Sequence, residues 1–218
     1  MRDRYSVVVG LLFLVVIVIA TVSTLGGEGG KTLGLDRLPQ RWPLPAFAVP
    51  AGESRLEGDA NVAQDDCETS AIPCPEDSRR TPACRVDLAD AIRICDFFDR
   101  PLVISFWFGE DGGCVEQQDV VERVHRRYRG RVGFLSLDIR GDRDTLRDLI
   151  GERGWTMPVG HDRDGAVASL YGVGGCPTFA YAFPGGTLES ASIGELTVGE
   201  LSDRVDRLLA STAEAEGD

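Results

Sequence analysis

The sequence predicts an α/β domain built on a mixed central sheet with helices on both faces, preceded by one apolar helix. Three observations carry that prediction. Apolar strand-like runs alternate with helical periodicity from about residue 98 to 211. A Pro-Gly-Gly turn at 184–186 marks a closing antiparallel hairpin. Residues 6–25 read SVVVGLLFLVVIVIATVSTL, without a charged side chain. With 43% hydrophobic and 27% charged residues in a 218-residue chain, the remainder has the composition of a globular domain, not a disordered segment.

The N-terminal run comes first. A helix of about 20 residues spans about 30 Å, the thickness of a bilayer's hydrocarbon core. Arg2 and Arg4 precede the run and Glu28 follows it, so the positive-inside bias leaves the N-terminus in the cytoplasm and everything later outside. A cleaved signal peptide, with Val18 and Ala20 as a weak cleavage site, is the competing reading. The length of the run favours an uncleaved anchor. The expectation is a single-pass protein of the cell membrane: a transmembrane signal anchor at 1–25, an extracytoplasmic linker and irregular lead-in at 26–82, a folded domain at 83–211 and a disordered tail at 212–218.

Within the linker, GGKT suggests a phosphate-binding loop, but Leu25 occupies the first glycine position and no strand precedes it. The lead-in from Pro39 to Pro82 is rich in Pro, Gly and acids, with one short strand predicted at Phe47–Val49. CRV (84–86) reads as a strand, followed by a helix with Leu88, Ala91, Ile92 and Cys95 on one stripe. LVISFWF is a central strand buried on both faces. Gly112 and Gly113 open a helix to Tyr128 that turns Val120, Val121 and Val124 inward. RVGFLSLDI is a second buried strand, followed by a helix at 142–153 with Leu146, Leu149 and Ile150. MPVGH is a short strand and DGAVASLYGV a helix. The strands CPTFAYAF and TLESASIG form the hairpin. LTVGELSDRVDRLLA closes as a helix burying Leu201, Val205, Leu208 and Leu209.

A formal charge of −12 argues against nucleic acid as a partner. Lys31 is the only lysine, so the arginines reflect coding bias and their abundance alone is no binding signal. Export makes disulfides persistent, and six cysteines suit pairing. Cys67, Cys74, Cys84 and Cys95 are candidates for structural bridges, with Cys67–Cys74 and Cys84–Cys95 preferred among the three pairings available. There is no paired CxxC or Cys/His spacing, and the only histidines are His125 and His161, so no metal site is expected. His125 reads as part of a solvated helix end, and His161 as turn chemistry.

PLVISFWF, then PVGHDRDGAVASLYGVGGCPTFAYAFPGGTL, then the final helix together resemble the thioredoxin-like superfamily, and within it the membrane-anchored TlpA/ResA-type thiol–disulfide oxidoreductases (redoxin domains). The resemblance implies a thioredoxin-like fold, a cis Pro177, a substrate groove at Trp107, Gly175 and Pro177, and no dissociable cofactor. It also implies protein thiols or disulfides as partners, together with a membrane electron donor. The chain departs from the family at its centre. FWFGEDGGC reads DGGC where the family has CxxC, so Asp111 replaces the first cysteine and only Cys114 remains. The family's Glu after the motif is Gln117, and the buried carboxylate before the Phe-Trp pair is Ser105.

Cys176, directly before Pro177, supplies a second sulfur. The expected chemistry is a noncontiguous redox pair, Cys114 with Cys176. The helix N-terminus would stabilise a Cys114 thiolate, and Asp111 either opposes this by its negative charge or serves as proton acceptor. Two alternatives stay open: a redox-inactive module stapled by the same disulfide that binds an extended segment, and a peroxiredoxin-like peroxidase with Cys114 as peroxidatic cysteine. The redox pair requires Cα atoms within about 7 Å.

Overall fold

A five-stranded mixed sheet carries the domain. The computed structural model describes residues 42–56, 68–69, 72–73, 81–109 and 112–217. The apolar run at 6–25, Asp111, Cys67 and Cys74 lie outside them. Among the described residues, no helix is long and apolar enough to cross a membrane.

The elements run in chain order: β1 (Ala48–Pro50), β2 (Glu68–Thr69), β3 (Ile72–Pro73), β4 (Ala91–Arg93), β5 (Leu102–Trp107), α1 (Gly112–Arg127), β6 (Gly133–Ile139), α2 (Arg143–Arg153), β7 (Val159–Asp162), α3 (Ala166–Leu170), β8 (Thr178–Phe183), β9 (Thr187–Ile193) and α4 (Val198–Gly217). The main sheet has the order β7-β6-β5-β8-β9. β5, β6 and β7 are parallel, β8 runs antiparallel to β5, and β9 runs antiparallel to β8 and so in the direction of the first three. Every residue of β5 is fully buried, which is why LVISFW reads as an unbroken apolar run without alternation.

Strand alternation divides the core in two. Val103, Trp107, Phe134, Phe179 and Tyr181 point to the face covered by α1, α2 and α4, where Val121, Val124, Leu146, Ile150, Leu201, Val205 and Leu208 meet them. Leu102, Ile104, Phe106, Leu135 and Leu137 point to the other face, against α3 and the lead-in residues Phe47 and Val49. The lead-in is thus part of the domain. Phe47, Ala48 and Val49 are fully buried, and the Tyr171 hydroxyl donates to Pro45 O at 2.7 Å. Gly160 permits the close approach, since a Cβ there would lie 2.6 Å from Val49 Cγ2.

Four expectations need correction. Residues 88–95 do not form a helix. Ala91–Arg93 is an extended strand paired with β1 in the register Val49↔Ile92, and a 3₁₀ turn follows at Ile94–Phe97. CRV is likewise no strand, because Ala83–Arg85 forms a 3₁₀ turn. Pairing with β1 satisfies this backbone and buries Ile94, while Leu88 is left 46% exposed. His161 belongs to β7 itself and is buried. The closing helix also differs from the expected boundary: it continues beyond 211 to Gly217, with Thr212 buried and its hydroxyl donating to Leu208 O at 2.8 Å.

Candidate functional site

Two chain segments meet over the carboxyl end of β5. One is the start of α1, where Cys114 sits in the first turn. The other is the loop entering β8, whose Cys176–Pro177 bond is cis. Cys114 and Cys176 form a disulfide with Cα atoms 6.0 Å apart, inside the range that unstrained backbone spans. Cys114 is 3% exposed, whereas Cys176 is only half-buried. Pro177 is buried, and the loop is pinned on both sides: Thr178 Oγ1 donates to Gly175 O at 2.7 Å, and the Gly194 amide donates to Pro177 O at 2.9 Å.

A neutral polar chain lies under the cysteine helix. Trp107 Nε1 donates to Ser136 Oγ at 2.8 Å, and Ser136 Oγ donates to Gln118 Oε1 at 2.9 Å. Gln118 Nε2 reaches Ser105 Oγ at 3.2 Å and Cys114 O at 3.4 Å. All of these side chains are buried, so each is held by its partners instead of by water. Ser105 is therefore an uncharged partner of Gln118, the side chain that reaches the Cys114 carbonyl. Trp107 is fully buried and edge-on to Trp155, with centroids 5.7 Å apart. It supports the site from beneath, and the groove wall expected of it is not at the surface.

Gln117 also has a defined task. Its amide donates to Leu196 O at 3.0 Å and accepts from Leu196 N at 2.9 Å. That two-way clasp ties α1 to the segment entering α4, beside an open groove of about 750 Å³ that includes Gly113, Glu116 and Leu196.

Sequence reasoning looked for a buried carboxylate at position 105 and missed the one at 138. Asp138 is fully buried and stands opposite Trp107 in the β5–β6 register. A Cβ on Gly109 would lie 2.8 Å from Asp138 Oδ1, so this carboxylate abuts the turn leading to the cysteine helix. The signal was available: an acid inside an otherwise apolar strand, FLSLDI. Glu122 was missed in the same way. Burial pushes its carboxyl up, but the bonds from Thr156 Oγ1, the Thr156 and Met157 amides and Arg126 outweigh this and hold it below the usual carboxylate range.

Of the remaining candidates, Cys84 and Cys95 form a disulfide with Cα atoms 5.7 Å apart, as expected. The Cys67–Cys74 pairing and the role of Asp111 fall outside the described residues. His125 is no solvated helix end: it is half-buried against Phe134 at 5.6 Å, and burial, more than the nearby arginines, lowers its pKa.

This arrangement of sheet, cysteine helix and cis-proline loop is a thioredoxin-like fold. Solved structures of the same fold include a DsbF homologue from Corynebacterium diphtheriae, at 17% identity with a TM-score of 0.58 over 83% of this chain and 96% of that one. A Chlorobium tepidum protein assigned as the thiol:disulfide interchange protein DsbE matches at 14% identity with a TM-score of 0.58, over 79% of this chain and 99% of that one. By sequence, the chain is 25% identical over 111 residues to the thiol-disulfide oxidoreductase ResA of Oceanobacillus iheyensis, covering 50% of this chain. The match spans 58% of that relative's length. No protein-family profile matches the chain.

Proposed function

We propose that the chain is a membrane-tethered, extracytoplasmic thiol–disulfide oxidoreductase whose redox centre is the noncontiguous pair Cys114 and Cys176. The observation that carries this reading is the juxtaposition of a helix-start cysteine and a cysteine preceding a cis proline, with Cα atoms 6.0 Å apart. The likeness to ResA supports the reaction class, and the charge-free run at 6–25 behind Arg2 and Arg4 supports the tether and the location. The substrates would be protein thiols or disulfides, and a membrane electron donor would reset the pair.

The difference in residue burial supports one order of events. Cys176 is the more accessible sulfur, and Cys114 lies where a helix N-terminus stabilises a leaving thiolate. In the oxidising direction, a substrate thiolate attacks Cys176 Sγ, the Cys114–Cys176 bond breaks, and Cys114 departs as a thiolate. The substrate's second thiolate then attacks the substrate sulfur of the mixed disulfide and releases Cys176. Two electrons pass from the substrate to the cysteine pair. The reducing direction is the reverse, with Cys114 as the resolving thiolate.

The near-complete burial of Cys114 also favours a second reading, in which the same bond is a permanent staple in a binding module. Disulfide mapping by mass spectrometry under graded reductant separates the two. The redox reading expects Cys114–Cys176 to open at reductant levels that leave Cys84–Cys95 intact, and a Cys114→Ser variant to trap substrate on Cys176. Equal resistance of the two bridges would return the site to the staple.

A further inference from the structure

At the end of the sheet that carries the disulfide, the carboxyl ends of β6 and β7 open onto a cleft of about 640 Å³. Four arginines converge on it from three parts of the chain: Arg55 from the lead-in, Arg143 and Arg147 one turn apart on α2, and Arg163 after β7. In a chain of net charge −12, such convergence is a local reversal of sign. The abundance of arginine says nothing here; its placement does. The two acids on the cleft are already engaged. Asp142 caps α2 through Thr145 N at 2.9 Å and Thr145 Oγ1 at 3.0 Å, and Asp144 pairs with Arg147 at 2.8 Å. The helix end therefore offers little; Arg147 is paired in turn with Asp144, and Arg143 also donates to Leu56 O, so the net positive field comes from Arg55, Arg143 and Arg163 together.

Two buried polar atoms on this cleft have no partner among the described residues. His161 is 2% exposed. Its Nε2 lies 2.9 Å from Gly141 O, and because a carbonyl only accepts, Nε2 carries the proton. Its Nδ1 is unpartnered, as is Arg147 Nε. Native structures leave such atoms unmet sparingly, and each one calls for an explanation. Arg55 is exposed and makes no ion pair among the described residues.

We propose that this cleft binds a compact oxyanion of the phosphate class, either free or as the headgroup of an anionic lipid. Guanidinium forks match phosphate oxygens two at a time, and the cleft has room for a phosphate bearing a substituent. The neutral His161 presents a lone pair at Nδ1, so an anion beside it favours a second proton there. The charged groups around that ring are Asp162 and Arg163 along its own chain, Arg143 and Asp142 at α2, Arg147 across the cleft, and Asp138 opposite in the β6 register. Burial, and to a lesser degree Arg143 and Arg163, keep the ring neutral without an anion.

The test is a titration of inorganic phosphate into the full-length protein at constant ionic strength, with chloride as control, reading heat and the His161 ring resonances. The expected result is saturable binding accompanied by protonation of His161 Nδ1. Arg55→Gln and Arg163→Gln should each weaken binding about tenfold, the loss of one charge-assisted contact. Arg55→Gln removes no bond among the described residues, so its melting without phosphate should match the wild type. Displacement of phosphate by phosphatidylglycerol vesicles, but not by phosphatidylcholine vesicles, assigns the site to lipid headgroups; no displacement assigns it to a soluble phosphate. A response identical to chloride, or wild-type phosphate binding by both arginine variants, overturns the proposal.

Discussion

The two disulfides among the described residues differ in nearly everything except chemistry. Cys84–Cys95 closes a loop of sequence separation 11 and fastens two 3₁₀ turns next to the β1–β4 pair. Cys114–Cys176 closes a separation of 62 and joins a helix start to a cis-proline loop across the end of the sheet. In the chain-entropy picture these separations stabilise the fold by about 3 and about 4 kcal/mol. The bridge that constrains the unfolded chain more is thus the one whose proposed work is to open. A rigid sheet and a hydrogen-bonded underlayer make this workable, because Cys114 stays located through Gln118 whether or not its sulfur is bonded.

The largest expected effect separates the two bridges by activity. Cys114→Ser or Cys176→Ser should abolish exchange with a disulfide-bearing test protein, a loss of several orders of magnitude, while Cys84→Ala with Cys95→Ala leaves the rate within about twofold. A comparable rate loss in the second variant would show that the distinction between clasp and centre is false.

Stability, unlike activity, should depend on both bridges. Removing Cys84 and Cys95 should lower the unfolding free energy by about 2–3 kcal/mol in a urea titration. Next in size is Gln118→Leu, which strands Ser136 and frees the Cys114 carbonyl from its bond. A cost of about 1–3 kcal/mol, with altered reactivity of Cys114 toward an alkylating probe in the reduced protein, would tie the neutral chain to the redox centre. An effect on stability alone would confine it to packing.

The Glu122 carboxyl gives a pH signature. Its folded-state pKa lies below the unfolded value, so its stabilisation is fully present above the unfolded pKa of about 4.3 and is lost as pH falls through the lower folded value. The midpoint of urea unfolding should therefore drop on acidification through that window in the wild type, and less steeply in Glu122→Gln. The smallest change is expected for Gly175→Ala. A Cβ there meets only the tip of Ile193, 2.6 Å from Cδ1, which can rotate aside, so the cost should stay below about 1 kcal/mol by thermal melting.

Much of this molecule was legible because periodicity is local. The unbroken apolar β5, the hairpin turn at 184–186 and the inward stripes of α1 and α4 announce themselves within a dozen residues each. Residues 88–95 did not, because Leu88, Ala91, Ile92 and Cys95 fit a helical stripe while the strand they feed is chosen by Ala48–Pro50, far upstream. The same holds at the site. Cys176 was placed beside Cys114 through the proline that follows it. Asp138 and the Trp107–Ser136–Gln118 chain arise from strand register and helix rotation, which no single segment encodes.

The lead-in has a consequence for anyone who would trim the protein. Residues 42–56 reach from one border of the sheet to the other: Pro43 bridges to Thr187 on β9, and Ala51 bridges to Gly160 on β7. The amides of Leu188 and Gly52 donate to Trp42 O and Val159 O at those two ends. Unpaired sheet borders invite strand addition from neighbouring molecules. A version begun at residue 83, where the composition first turns domain-like, would bare backbone at both borders and empty the socket of Phe47. Such a fragment should self-associate during purification, and one begun before Trp42 should remain monomeric.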